Sequence, residues 1–459
     1  MTEEYILKIA EREGIPIEEL EEKLRHFESF GLDGQAFRAY RGWELTDDEC
    51  LVLKEELAKR EDVIRKKQED MAAIISRKTG IDKEEILAKY HLAKECGYKS
   101  YWFAIDGIYL LSDEEIRNHK NMRDVGYGED LQEENEQRLK KLSKKIRNKT
   151  EWNKAQYRLE FLKARNNCEC AADEYSVYRI WKKSPEDARE MLTAGIKHRI
   201  WFCNASTYEK SILFRNKVLF SEACSDFMNR VTFATDGLTY EDFTEKIKGL
   251  DKIVYKLAEG NKGIGFESFD VNGSEEQNRE VYEHIRGLEP GIIEEYIRQH
   301  PAIASFYPDA VNTLRVVTAI GYGEAKVIMA ALRTGTDGSI DNWSQGGISA
   351  GVNIETGIIE TEGVDYNGKK HAIHPIGGVV FRGFRIPDWN EVVSCCCKAA
   401  ERFPDFPFIG WDVSVLEDGR VALIEGNPDF GIKAIQTPYA RAGVGLRDRV
   451  EQYIELAKG

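Results

Sequence analysis

Long hydrophobic runs are missing from this chain. No stretch approaches the roughly 18 uncharged apolar residues that a membrane helix needs, so no membrane span is expected. Disulfide patterning is missing too. The nine cysteines are Cys50, Cys96, Cys168, Cys170, Cys203, Cys224 and Cys395–Cys397, an odd and scattered set. The opening "MTEEYILKIAEREG" is acidic and amphipathic, unlike a secretory signal. Together these point to a reducing, cytoplasmic setting. "CEC" at 168–170 has no partner pair at ligand spacing, so ordinary thiols are expected there. "CCC" sits in "EVVSCCCKAAERF", which reads as a helix with buried small residues. Positive charge is in deficit: Lys and Arg number 65 against 80 Asp and Glu, a net charge of −15. That balance argues against a nucleic-acid partner. No Walker loop or dinucleotide fingerprint is present. The chain does have the length, 459 residues, and the apolar share, 42%, for a large core and more than one domain.

It also contains a repeat. "IAEREGIPIEELEEKLRHFESFGLDGQAFRAYRGWELTDDE" from Ile9 aligns without gaps on "ISRKTGIDKEEILAKYHLAKECGYKSYWFAIDGIYLLSDEE" from Ile75. The end of the unit recurs as "YSVYRIWKKSPED" from Tyr175. Each copy carries an aromatic (Phe37, Phe103, Tyr175), a second aromatic six residues on (Trp43, Tyr109, Trp181), and a hydroxyl (Thr46, Ser112, Ser184). An acid follows three residues later: Glu49, Glu115 or Asp187. Hydroxyl-x-x-acid is a capping box, in which each partner satisfies an orphan amide of a new helix. Asp187 gives a weaker box, helped by Pro185 at the first helical position. Each unit therefore reads as a helix, an aromatic turn and a freshly capped helix. The aromatics are expected to be core of a helical scaffold rather than a docking face. "DLQEENEQRLKKLSKKIRNKTEWNKAQYRLEFLKARNN" reads as one long charged helix with a solvated lysine face.

After about residue 200 the pattern changes to apolar, β-branched runs separated by glycine-rich turns and helical stretches. The runs "KIVYKLA", "PGIIEEYI", "NTLRVVTAI", "AKVIMAALRTG", "FIGWDVSVL" and "RVALIEG" predict a substantial sheet in an α/β or α+β domain. In "YKLAEGNKGIGF", Lys256 ends a strand and a loop with Gly260, Gly263 and Gly265 follows. A lysine beside flexible backbone amides suits a polyphosphate. In "FIGWDVSVLEDGRVALIEGNPDFG", a turn at "EDGR" joins two strands into a hairpin. Asp412 lies in the first strand. Glu425 and Asn427, two apart in the second, share a face. Three oxygen donors meeting in this way suit Mg²⁺ that also carries substrate phosphates. His371 and His374 lie close together beside a proline turn and are expected to be local hydrogen-bonders.

Taken together, these elements resemble the ATP-grasp superfamily over roughly residues 200–459. Within it, "QHP", "NTLRVVT", "NWSQGGI", "HPIGG" and "GWDVSV" most resemble the sugar-transfer-associated branch, related to α-L-glutamate ligases. The resemblance implies an α+β fold of two subdomains clasping ATP, preceded here by the all-α repeat region. Residues 1–165 would be the helical accessory region and 166–225 a reduced N-terminal part of the module. Residues 226–300 would be the lid subdomain and 301–459 the subdomain with the metal site. ATP would be held by Lys217, Lys256, Gly260, Gly263 and Gly265, and by a hinge at Glu294, Glu295, Tyr296 and Ile297. Mg²⁺ would sit on Asp412, Glu425 and Asn427. Arg315, Arg333 and Asn342 would act on the transferred phosphoryl group or substrate carboxylate. The implied activity is ADP-forming ligation of a small-molecule carboxylate and an amine through an acyl phosphate, with sugar-polymer or secondary-metabolite biosynthesis as the setting. A phosphotransferase and a non-catalytic ATP-binding scaffold are the alternatives. The repeats are a candidate surface for a protein partner.

Overall fold

The computed structural model describes residues 3–118, 129–260, 265–337 and 343–458. The chain divides into two compact units, Met1–Asp70 with Asn121–Gly195, and Met71–Lys120 with Ile196–Gly459. No helix among the described residues is long and apolar enough to cross a membrane.

The first unit is helical. In the first repeat, helix Gly34–Tyr40 ends on Arg41 in the left-handed region (φ 58°) and a 3₁₀ turn, Gly42–Glu44, follows. The expected capping box then opens helix Asp47–Thr79: Thr46 N donates to Glu49 Oε2 at 2.9 Å, and Glu49 N to Thr46 Oγ1 at 3.3 Å. The third copy repeats the course with Ala172–Val177, Arg179 at φ 57°, Ile180–Lys182, and Ser184 accepting from Asp187 N at 3.0 Å. Phe37, Trp43 and Tyr175 are buried, as expected of core, and Trp181 is half-buried.

The single long helix expected from "DLQEEN…ARNN" is instead two helices, Glu129–Thr150 and Lys154–Cys168. Asn153 and Gln156 form a reciprocal capping box with contacts of 2.8 and 3.0 Å. A strong N-cap terminates the preceding helix because its own backbone must leave helical geometry.

The second unit opens with the second repeat, which has the same course: Ser100–Ile105, Gly107 at φ 70°, Ile108–Leu110, and the Ser112–Glu115 box. Phe103 and Tyr109 are buried here too. Two antiparallel sheets follow. The four-stranded one holds β1 (Thr232–Ala234), β2 (Lys252–Leu257), β3 (Glu267–Asp270) and β4 (Gly291–Glu295), in the order β1-β4-β2-β3. Alternation sends Ile253, Tyr255 and Ile293 into a core with Phe243, Tyr282 and Ile285. Val254, Lys256, Ile292 and Glu294 are left on the opposite face.

The seven-stranded sheet holds β5 (Thr313–Gly321), β6 (Glu324–Thr334), β7 (Ile348–Gly351), β8 (Gly363–Asp365), β9 (Lys370–His371), β10 (Phe408–Val415) and β11 (Val421–Asn427). Its order is β11-β10-β5-β6-β7-β8-β9. One face, with Leu314, Val316, Trp411, Val413 and Leu423, packs on Val392, Cys396 and Ala399 of helix Trp389–Glu401. The other face carries the charged residues.

Candidate active site

Strand register places the charges. On β11, β10 and β5, Glu425, Asp412 and Arg315 are successive cross-strand partners. Arg333 on β6 faces Thr313, two residues before Arg315. Arg315 donates to Asp412 through Nε at 2.5 Å and Nη2 at 2.9 Å. Arg333 Nη2 donates to Asp412 Oδ2 at 2.9 Å and to Thr313 Oγ1 at 2.6 Å. Burial alone would raise the Asp412 pKa, but the two guanidiniums outweigh it and hold the carboxyl well below the usual range. Glu425 keeps accessible surface, yet its carboxyl is closely surrounded by protein. That burial, with the Asp412 charge beside it, pushes its pKa up to about 7. Asn427 follows on β11, and its Oδ1 accepts from Asp429 N at 2.8 Å, which leaves a lone pair for a further partner.

These residues fit Mg²⁺. Two carboxylates are forced together as cross-strand neighbours, and the resulting proton affinity of Glu425 is what a divalent cation would replace. No three His, Cys, Asp or Glu side chains form a metal-sized cluster among the described residues. A cation would therefore rest on two acids, the Asn427 amide and substrate oxygens, which suits Mg²⁺ with its usual retained waters and phosphates.

On the four-stranded sheet, Lys256 Nζ donates to Glu294 Oε2 at 2.8 Å. The same oxygen accepts from Arg230 Nη2 at 2.8 Å and Nε at 3.1 Å. Burial would raise the Glu294 pKa, but Arg230 and Lys256 reverse the effect and lower it to about 2. Lys217 connects the two faces. Its Nζ donates to the Gly260 carbonyl at 2.6 Å. Burial lowers its pKa, and Glu425, Lys256, Glu294 and Glu259 all lie within its electrostatic reach. Asn216 fixes it at a helix start by accepting from Val218 N and Leu219 N at 3.1 and 3.2 Å.

The structure thus brings together Lys217, Lys256, Gly260, Glu294, Arg315, Arg333, Asp412, Glu425 and Asn427. At the expected hinge residues, the carboxylates turn back on the protein: Glu294 to its two cations, and Glu295 to Val231 N at 3.1 Å. Tyr296 N donates to Lys252 O at 3.0 Å, and Ile297 is half-buried just beyond β4. Gly265 takes φ 70°, where a side chain would also meet Leu257. Gly263 and Asn342 lie outside the described residues. His374 is buried, with Nδ1 accepting from Gly377 N at 3.1 Å and Nε2 facing Gly335 O at 3.0 Å, a local hydrogen-bonder as expected. Sequence reading missed Arg230, which in "DFMNRVTF" looks like a surface cation. It also missed Thr313 as a partner of Arg333.

A family model described as sugar-transfer associated ATP-grasp matches residues 207–454. The chain belongs to that family. The two sheets are the two halves of its ATP-grasp fold, and an all-helical region precedes them. No curated protein matches the chain. Solved structures it is similar to include the ATP-grasp ligase PsnB complexed with minimal precursor (13% identity, TM-score 0.33, covering 54% of this chain and 62% of that one). Two others are D-alanyl-alanine synthetase A from Vibrio cholerae (14%, 0.34, 55% and 67%) and an L-amino acid ligase from Bacillus licheniformis (12%, 0.31, 49% and 42%). The chain thus spans less than two thirds of the PsnB chain.

Proposed function

We propose that this ATP-grasp chain is an ADP-forming ligase that joins a carboxylate to an amine through an acyl phosphate, with ATP and Mg²⁺. One observation carries the reading: Lys217 lies within electrostatic reach both of Glu425 on the acid-bearing sheet and of Lys256 and Glu294 on the other. This proximity supports a single site shared by the proposed phosphate-binding cations and the candidate metal ligands. In this reading Lys217, Lys256 and the backbone of Gly260–Gly265 bind the phosphates. The backbone at Glu295, Tyr296 and Ile297 receives the adenosine. Lys256 remains free to turn to a phosphate because Arg230 still neutralises Glu294. Bound on Asp412, Glu425 and Asn427, Mg²⁺ would supply charge neutralisation at the β- and γ-phosphates.

A carboxylate oxygen of the substrate attacks the γ-phosphorus and ADP leaves. The amine then attacks the acyl carbon and inorganic phosphate leaves. Positioning and charge neutralisation account for most catalysis of such a transfer. Arg315 and Arg333, forked donors in one buried face, serve the transferred phosphoryl or the carboxylate. Residues 226–300 act as the lid and 301–459 carry the metal site. The substrates are small molecules and the compartment is the cytoplasm.

The test is ADP release with Mg·ATP and hydroxylamine over pooled amino acids, sugar acids and dicarboxylates. ADP with a hydroxamate supports the reading. ADP without hydroxamate in every pool would replace it with phosphoryl transfer to a hydroxyl.

A further inference from the structure

We infer that Arg230 is a positioning residue that sets the spacing between the phosphate-binding lysine and the metal-binding strand. The inference rests on the nucleotide reading above. Arg230 is 2% exposed, in the turn between helix Ser225–Met228 and β1. Its guanidinium works in two directions. Nη1 donates to the Leu423 carbonyl of β11 at 2.7 Å, two residues before Glu425. Nε and Nη2 donate to Glu294 on β4, whose same oxygen takes Lys256. Its neighbour Asn229, held at φ 48°, donates Nδ2 to the Val421 carbonyl at 2.7 Å. β11 is the edge strand of its sheet, so these two side chains occupy carbonyls next to no further strand.

A continuous run of hydrogen bonds therefore leads from β11 through Arg230 and Glu294 to Lys256. Only a planar fork with donors fixed in several directions can hold a backbone carbonyl on one sheet and a carboxylate on the other. Glu294 is 4% exposed, so water competes little for these bonds. Arg230 touches neither phosphate nor metal in this scheme. It makes binding at one depend on binding at the other.

The experiment titrates ADP calorimetrically into the full chain, once in EDTA and once in excess MgCl₂, for wild type, Arg230→Lys and Arg230→Met, with thermal melts alongside. Arg230→Lys retains a charge for Glu294 but cannot also reach Leu423. Its ADP affinity in EDTA should stay within about threefold of wild type. The strengthening of ADP binding by Mg²⁺ should fall about tenfold, in the range usual for coupled sites. Arg230→Met should show the same loss or more. If it does not fold, Arg230→Lys decides. An unchanged Mg²⁺ effect in a folded Arg230→Lys overturns the inference. So does equal weakening with and without Mg²⁺, which would make Arg230 merely structural. Wild type that binds no ADP under either condition would overturn the nucleotide reading itself.

Discussion

In the seven-stranded sheet Asp412 takes hydrogen bonds from two guanidiniums, whereas in the four-stranded sheet Glu294 takes them from a guanidinium and an ammonium. The further difference lies in what remains. Beside Asp412 stands a second carboxylate, Glu425, pushed up to about 7. Beside Glu294 there is a surplus cation, because Lys256 and Arg230 share one acid, and Lys217 lies near Lys256 and Glu294. The first face sets two carboxylates against two guanidiniums and leaves one acid, Glu425, poised to exchange its proton, whereas the second face is short of an anion.

The largest expected effect falls on the acid-bearing face. Asp412→Asn should cut ADP formation by about 10³-fold, the scale of losing a group that stabilises transition-state charge. Activity within tenfold of wild type, by coupled assay, would break the assignment of that face.

On the other sheet, Lys256→Met should weaken ADP binding about 10- to 100-fold, as for loss of one charge-assisted contact. The fold should survive, since Arg230 still pairs Glu294. Titration calorimetry beside a thermal melt separates the two effects.

The sheets should also differ in the sign of their pH response. Glu294 has a folded pKa lowered to about 2, so the unfolded chain binds the extra proton. Its contribution is present above the ordinary carboxylate range and is lost as pH falls from about 4.3 towards 2. Glu294→Gln should remove roughly 3 kcal/mol of stability at neutral pH and flatten that acid limb, as read by urea unfolding.

Glu425 is the opposite case, raised to about 7. In EDTA its contribution is present below the ordinary carboxylate range and is lost as pH rises through about 7. Glu425→Gln should shallow that loss, the smallest of the four effects. Equal pH slopes for the two variants would erase the contrast between the sheets.

Much of the site was legible because its geometry follows from strand periodicity. Glu425 and Asn427 share a face by spacing alone, but Asp412 comes opposite Glu425 only through a register shift between Asp412 and Val413, which the turn at "EDGR" does not reveal. The pairing of Arg315 with Asp412 was not legible, since it needs the β5–β10 register across 97 residues of chain. Arg230 gave no signal, because its partners lie 64 and 193 residues away. The break at Asn153 could have been read: the amide and Gln156 stand three apart inside "TEWNKAQ", but the charge pattern around them runs on unbroken.

The repeats mark the boundary between the two kinds of information. Three times the sequence alone determined a helix, a left-handed residue, a 3₁₀ turn and a capped helix, because the hydrogen bonds involved close within about four residues. At the left-handed position, only tertiary structure decided the use. Arg41 is buried between Glu13 and Glu44, reaching Glu13 Oε1 with Nη1 at 2.8 Å. Gly107 instead sits where a Cβ would lie 2.6 Å from the Ser206 carbonyl oxygen, which also accepts from Tyr109 at 3.2 Å. The same division holds at the site. Local pattern chose the strands and put Glu425 and Asn427 on one face, while a register shift in the folded hairpin brought Asp412 opposite Glu425. The partners that set each charge, and so its pKa, came from segments that only the folded sheets bring together.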